Sequence, residues 1–60
     1  MLPKNPNILL SVVNTKLRDF YPSLEELCLD LDESIDEIKE ILASIHYYYD
    51  SSCNQFKENQ

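Results

Sequence analysis

The chain has no glycine, one histidine and two cysteines among sixty residues. Each shortage removes a class of chemistry. A Cys28–His46 or Cys53–His46 pair would need an oxyanion hole for nucleophilic work, and no glycine is present to build one. His46 runs into three tyrosines and reads as a structural or surface histidine. Cys28, His46 and Cys53 do not fall at a zinc spacing such as C-x₂-C. The pair Asp30 and Asp32 lacks the alternation and the glycine of a calcium loop. A domain of this size buries only about 60% of the surface its unfolded chain exposes, which leaves little room for an enclosed active site beside a core. No catalytic residue, cofactor, metal or small-molecule ligand is expected. The chain does not read as an enzyme.

Long apolar runs are also missing. The longest span three residues, against the roughly 20 needed to cross a bilayer. The opening Met1-Leu2-Pro3-Lys4-Asn5-Pro6 lacks the charged segment and apolar stretch of a signal peptide. A cytoplasmic protein without membrane attachment is therefore expected. Its thiols should stay reduced, with Cys28 serving as a small core residue and Cys53 exposed in a turn.

Bases are scarce: five against eleven acids, for a net charge of −6. Nearly all the imbalance lies in residues 25–40. Glu25, Glu26, Asp30, Asp32, Glu33, Asp36, Glu37 and Glu40 face the single base Lys39 there. Lys4, Lys16, Arg18 and Lys57 roughly balance Asp19, Asp50 and Glu58 elsewhere.

What the chain does have is a repeated start signal. Ser23-x-x-Glu26 and Ser34-x-x-Glu37 are both capping boxes, in which serine and glutamate satisfy backbone donors at a helix start. Apolar residues follow each at helical spacing: Leu24, Leu27, Cys28 and Leu31, then Ile35, Ile38, Leu42 and Ile45. Only Asp32 and Glu33 separate the two runs, which predicts a helix-turn-helix over 23–31 and 34–45. The acids in each first turn suit the helix dipole and a solvated face. Upstream, Asn5-Pro6 starts a helix over 6–20. Its apolar stripe is Leu9, Leu10, Val13, Leu17 and Phe20, widened by Ile8 and Val12. Asn7, Ser11, Asn14 and Arg18 form its polar face, and Pro22 ends it.

After Ile45 the period shortens to two, which predicts a hairpin over 46–57. Asp50 suits the first position of a type I turn, and Asn54 tolerates left-handed backbone where glycine would otherwise stand. A loop over 50–53 pairs Tyr49 with Asn54 and Tyr47 with Phe56. Tyr47, Tyr49 and Phe56 then cover the helices, while Tyr48 points outward. Glu58-Asn59-Gln60 is expected to fray. Residues 1–60 thus form one domain, mainly α with a small β-hairpin. It is a three-helix helix-turn-helix core followed by a two-stranded wing, a minimal winged-helix-like arrangement.

The opening Met1-Leu2-Pro3-Lys4-Asn5-Pro6, the run Leu10-Ser11-Val12-Val13-Asn14-Thr15-Lys16-Leu17-Arg18-Asp19-Phe20 and the ending Tyr47-x-Tyr49-Asp50 with Asn54-Gln55-Phe56 resemble a family of short bacterial proteins. That family is catalogued only as a domain of unknown function. The resemblance covers nearly the whole chain, with the Leu10–Phe20 run its most specific part. It implies a bacterial, cytoplasmic, stand-alone domain and no particular activity. His46 departs from it, since glycine is expected before the hairpin.

Two functional readings follow. A helix-turn-helix invites DNA binding through its second helix. Here that helix presents Ser34, Asp36, Glu37, Lys39 and Glu40, whereas DNA affinity rests on neutralising phosphates with bases. A nucleic-acid patch would have to come from Lys4, Lys16, Arg18 and Lys57 instead. The favoured reading is a protein-interaction module, with a homodimer as its simplest version, using Tyr48, Gln55 and Lys57. Tyrosine is enriched at interfaces, and the strand Asn54 to Lys57 offers an edge for strand addition. The acidic helix pair would steer toward a basic partner.

Overall fold

The structure, a computed structural model, describes residues 2–59. Met1 and Gln60, which belong to the quoted opening and the expected frayed end, lie outside the described residues. Three helices precede a two-stranded antiparallel hairpin: α1 Pro6–Asp19, α2 Leu24–Leu31, α3 Ile35–Ala43, β1 Tyr47–Asp50 and β2 Gln55–Glu58. Asn5 Oδ1 caps α1 by accepting from the N–H groups of Asn7 and Ile8 at 3.0 and 3.2 Å. Ser23 and Ser34 accept from the N–H of Glu26 and Glu37 at 3.1 and 3.2 Å. The glutamate arm of neither capping box is formed among the described residues. The Glu37 carboxylate instead accepts from Lys4 Nζ at 2.6 Å, which ties the N-terminal segment to α3.

One core joins all three helices to the hairpin. It consists of Leu9, Val13 and Leu17 from α1, Leu24, Leu27 and Cys28 from α2, Ile38 and Leu42 from α3, and Phe56 from β2. Truncating a buried leucine to alanine costs about 2–5 kcal/mol. That is of the order of everything a single core supplies in a domain this small, about 3–5 kcal/mol. No element can be spared.

Two expectations for α1 are corrected. Phe20 is 72% exposed rather than part of the stripe. It caps the helix at φ −127°, off the helical path, and the Lys16 ammonium stands 6.0 Å from its ring centroid. Asn14 belongs to a contact and not to the solvated face, as described below. At the other end, α3 stops at Ala43 instead of Ile45. Bonds from Ile45 N–H to Leu42 C=O and from His46 N–H to Ala43 C=O, at 3.2 and 2.9 Å, span three residues instead of four and tighten the last turn before the chain leaves the helix.

The hairpin register also differs from the expectation. Tyr49 opposes Phe56 and Tyr47 opposes Glu58, because the loop occupies 51–54. The difference is two residues, and side chains alternate with period two, so every side chain keeps its face. Tyr47 and Tyr49 pack on the core, and Tyr48 lies outside. Glu58 is a strand residue, and Asn59 N–H donates to His46 C=O at 2.6 Å, so the pairing reaches residues expected to fray.

Among the described residues three have left-handed backbone: Asp32 (φ 55°), His46 (φ 66°) and Asn54 (φ 57°). They sit at the three sharpest corners, the end of α2, the entry to β1 and the end of the hairpin loop. In a chain without glycine these corners fall to residue types that include the best non-glycine formers of this geometry.

Candidate interaction surface

The hairpin turns one face to the helices and the other to solvent. Tyr48 and Lys57 are directly opposed across the strands on the outer face, and Tyr48 is 46% exposed there. Gln55, the third residue expected at this surface, is engaged within the fold. Its Nε2 donates to the carbonyls of Asn14 and Asn54 at 3.0 and 2.8 Å.

The strand expected to offer a free edge, Asn54 to Lys57, is closed at its centre. In an antiparallel ladder, alternate residues turn their N–H and C=O outward. On β2 the outward residues are Phe56 and Glu58, and Asn14 takes both groups of Phe56. Asn14 Oδ1 accepts from Phe56 N–H at 2.8 Å, and Asn14 Nδ2 donates to Phe56 C=O at 3.1 Å. One side chain of α1 thus stands in for a neighbouring strand and closes β2 at its centre. The same alternation turns the main-chain groups of Tyr47 and Tyr49 outward on β1. No hydrogen bond to those groups is formed among the described residues. Among the described residues β1 is open along its length, while β2 is closed at Phe56 and open only at its last residue, Glu58.

The bases expected to contact nucleic acid are dispersed, and two are paired. Lys4 is bonded to Glu37, which raises its pKa above the usual lysine value through the hydrogen bond and the adjacent charge. Arg18 grips Asp19 with both arms of its guanidinium, at 2.9 and 3.0 Å. That bond holds the Asp19 carboxyl below the ordinary carboxylate range. Lys16 lies over Phe20, and Lys57 stands beside Tyr48 on the hairpin. No group of three His, Cys, Asp or Glu side chains is placed to hold a metal among the described residues. Among the described residues no helix is long and apolar enough to cross a membrane.

Sequence reasoning missed two residues that matter for surfaces. Asn14 was assigned to solvent because its helical position matched Asn7, Ser11 and Arg18; nothing local signals its bond to a strand 42 residues away. Leu29 is 80% exposed on α2. Its signal was legible: a leucine off the stripe of Leu24, Leu27, Cys28 and Leu31.

No curated protein and no solved structure matches the chain. A family model described as a domain of unknown function, DUF4250, matches residues 3–56. That span takes in all three helices and the hairpin as far as Phe56, and the chain belongs to this family.

Proposed function

We propose that the protein is an interaction module that pairs with a second copy of itself along the β1 edge. The observation that carries this is the contrast between the two edges: Asn14 closes β2 at its centre, leaving only the terminal Glu58 open, whereas neither Tyr47 nor Tyr49 of β1 has a main-chain partner among the described residues. An antiparallel partner bonds best where both strands turn the same groups outward. For two copies of β1 that register places Tyr47 opposite Tyr49 of the second copy and Tyr48 opposite its own equivalent. It also brings His46 opposite Asp50. Two-fold symmetry makes such a contact self-complementary. The exposed Tyr48 rings supply apolar area beside the new hydrogen bonds. Short strands bury little surface, so a weak, concentration-dependent dimer is expected.

The test is solution mass by sedimentation over a range of concentrations, with reductant present to exclude a Cys53 disulfide. A dimer is expected in the wild type and in Tyr48→Phe. Tyr48→Lys, which sets two like charges opposite one another on an edge strand, should be monomeric with unchanged thermal unfolding. A wild-type monomer at every concentration, or a Tyr48→Lys dimer of equal strength, would remove the proposal. Nucleic-acid binding through Lys4, Lys16, Arg18 and Lys57 is the alternative, and ion pairs already engage two of those bases. A low-salt mobility shift abolished by Lys16→Glu with Arg18→Glu would establish it instead.

A further inference from the structure

Away from the hairpin, the corner between α2 and α3 holds a groove of about 310 Å³ lined by Glu25, Cys28, Leu29, Asp32, Glu33 and Ile35. Cys28 is buried at its floor, Ile35 is half-buried, and Leu29 projects at the lip with 80% of its surface exposed. The other three lining residues are all acidic, and none is neutralised by an ion pair among the described residues. Glu33 accepts only from the backbone N–H of Leu2, at 3.2 Å. The nearby charges acting on the Cys28 thiol are Glu33 and Glu25, which together with burial raise its pKa, and Lys39, which lowers it.

We propose that this groove docks a cationic amphipathic helix from another protein. Three features select that occupant. First, the floor is apolar and the rim carries one sign of charge, so the complement is an apolar stripe flanked by lysine or arginine. Second, the surface consists of side chains from α2, α3 and the turn between them and offers no strand edge. An extended peptide would find no main-chain partners here, whereas a helix satisfies its own backbone and needs only side-chain contacts. Third, the groove is a shallow corner open to solvent. It cannot enclose the 70–90% of surface that a small-molecule site typically buries. A second copy of this chain fits poorly, because two of its bases, Lys4 and Arg18, are paired and its own α2–α3 unit is acidic.

The contact is distinct from β1 self-pairing, and either can fail without the other. The experiment is a titration of the ¹⁵N-labelled full chain with a synthetic lysine–leucine peptide of about 15 residues, long enough to hold a helix. A shuffled peptide of the same composition, which cannot segregate its leucines, serves as the control. Shifts confined to residues 25–35 are expected, with the shuffled peptide and Leu29→Ala each weakening binding roughly tenfold or more. That is the order set by withdrawing one leucine from an apolar contact. In a Cys53→Ser background, bound peptide should also slow alkylation of Cys28 at the groove floor. Leu29 is exposed, so its truncation leaves the fold intact, and thermal unfolding checks this. Equal binding of the shuffled peptide would mean attraction by charge alone and overturn the proposal. So would shifts centred elsewhere, or no binding at low salt. If Leu29→Ala abolishes self-association, the occupant is a second copy and the foreign helix is ruled out.

Discussion

The Tyr49 hydroxyl donates to Asn54 Oδ1 at 2.6 Å, while Asn54 Nδ2 donates to the carbonyls of Leu17 and Tyr21 at 3.0 and 2.9 Å. One side chain in left-handed backbone therefore binds the hairpin to the end of α1. His46 has the same backbone geometry, but its side chain makes no hydrogen bond among the described residues. The two sites should respond to glycine with opposite sign. A left-handed non-glycine residue carries roughly 1–2 kcal/mol of strain, partly offset by the roughly 0.5–1 kcal/mol that glycine costs in unfolded-state entropy. His46→Gly is expected to raise stability by about 0.5–1 kcal/mol. Asn54→Gly relieves the same strain but loses three hydrogen bonds at roughly 0.5–1.5 kcal/mol each, for a net loss of about 1–3 kcal/mol. Urea midpoints at constant slope measure both, and the same sign for the two variants would show that backbone geometry alone decides.

Asn14→Ala should cost about 1–3 kcal/mol, the range for leaving inward polar groups unpaired. Because α1 still packs against β2 in this variant, the loss should show as a lower unfolding midpoint with self-association unchanged. Asn14→Asp separates the two bonds. A carboxylate can still accept from Phe56 N–H but faces the Phe56 carbonyl with a second lone pair. Its protonated form can donate again, so this variant should recover stability as pH falls toward about 4, the usual aspartate range.

Much of the fold was legible because local signals and tertiary packing agree. Asn5, Ser23 and Ser34 each cap a helix in the structure, and the stripes that follow them supply the core. The hairpin faces were legible from period two even though the register was not, since a two-residue displacement changes partners and preserves faces. What stayed hidden depends on distant contacts. Asn14 and Asn54 look like solvated or turn residues from their neighbours, yet each bonds to backbone more than thirty positions away. The closure of β2 at Phe56 was hidden for the same reason: only the approach of α1 supplies Asn14 there. The acidic rim of the α2–α3 groove was visible as charge, whereas its apolar floor required the angle between the helices.

The two cysteines should differ sharply in reactivity. Burial, with Glu33 and Glu25 nearby, pushes the Cys28 thiol above its ordinary pKa, and Cys53 is exposed in the loop. With a thiol reagent at pH 8, one equivalent is expected to react rapidly and the other only as the domain opens. Cys53→Ser should remove the fast phase alone. Because the folded-state pKa of Cys28 is raised, the native state holds its proton longer than the unfolded chain does. That contribution is complete below the unfolded value of about 8.5 and declines as pH rises through the folded value. Cys28→Ala should accordingly flatten the alkaline limb of the stability profile; an unchanged limb would place its cause elsewhere.

Acid should act through the hairpin loop. The Asp50 carboxylate accepts from both the N–H and the hydroxyl of Ser52, at 3.0 and 2.6 Å, and these bonds hold its pKa below the usual aspartate value. For a depressed carboxylate the unfolded chain takes up a proton first as pH falls. The stabilisation is therefore complete above roughly pH 4 and disappears as pH drops through the folded value. Asp50→Asn keeps an acceptor and the turn but cannot titrate. Its stability should fall short of the wild type's at neutral pH and match it at low pH, so the two unfolding profiles should converge as the solution is acidified. Parallel profiles across that range would mean that the Ser52 contacts do not distinguish charged from neutral Asp50, and the loop would then have to be closed mainly by the Cys53 N–H bond to the Asp50 carbonyl at 3.3 Å.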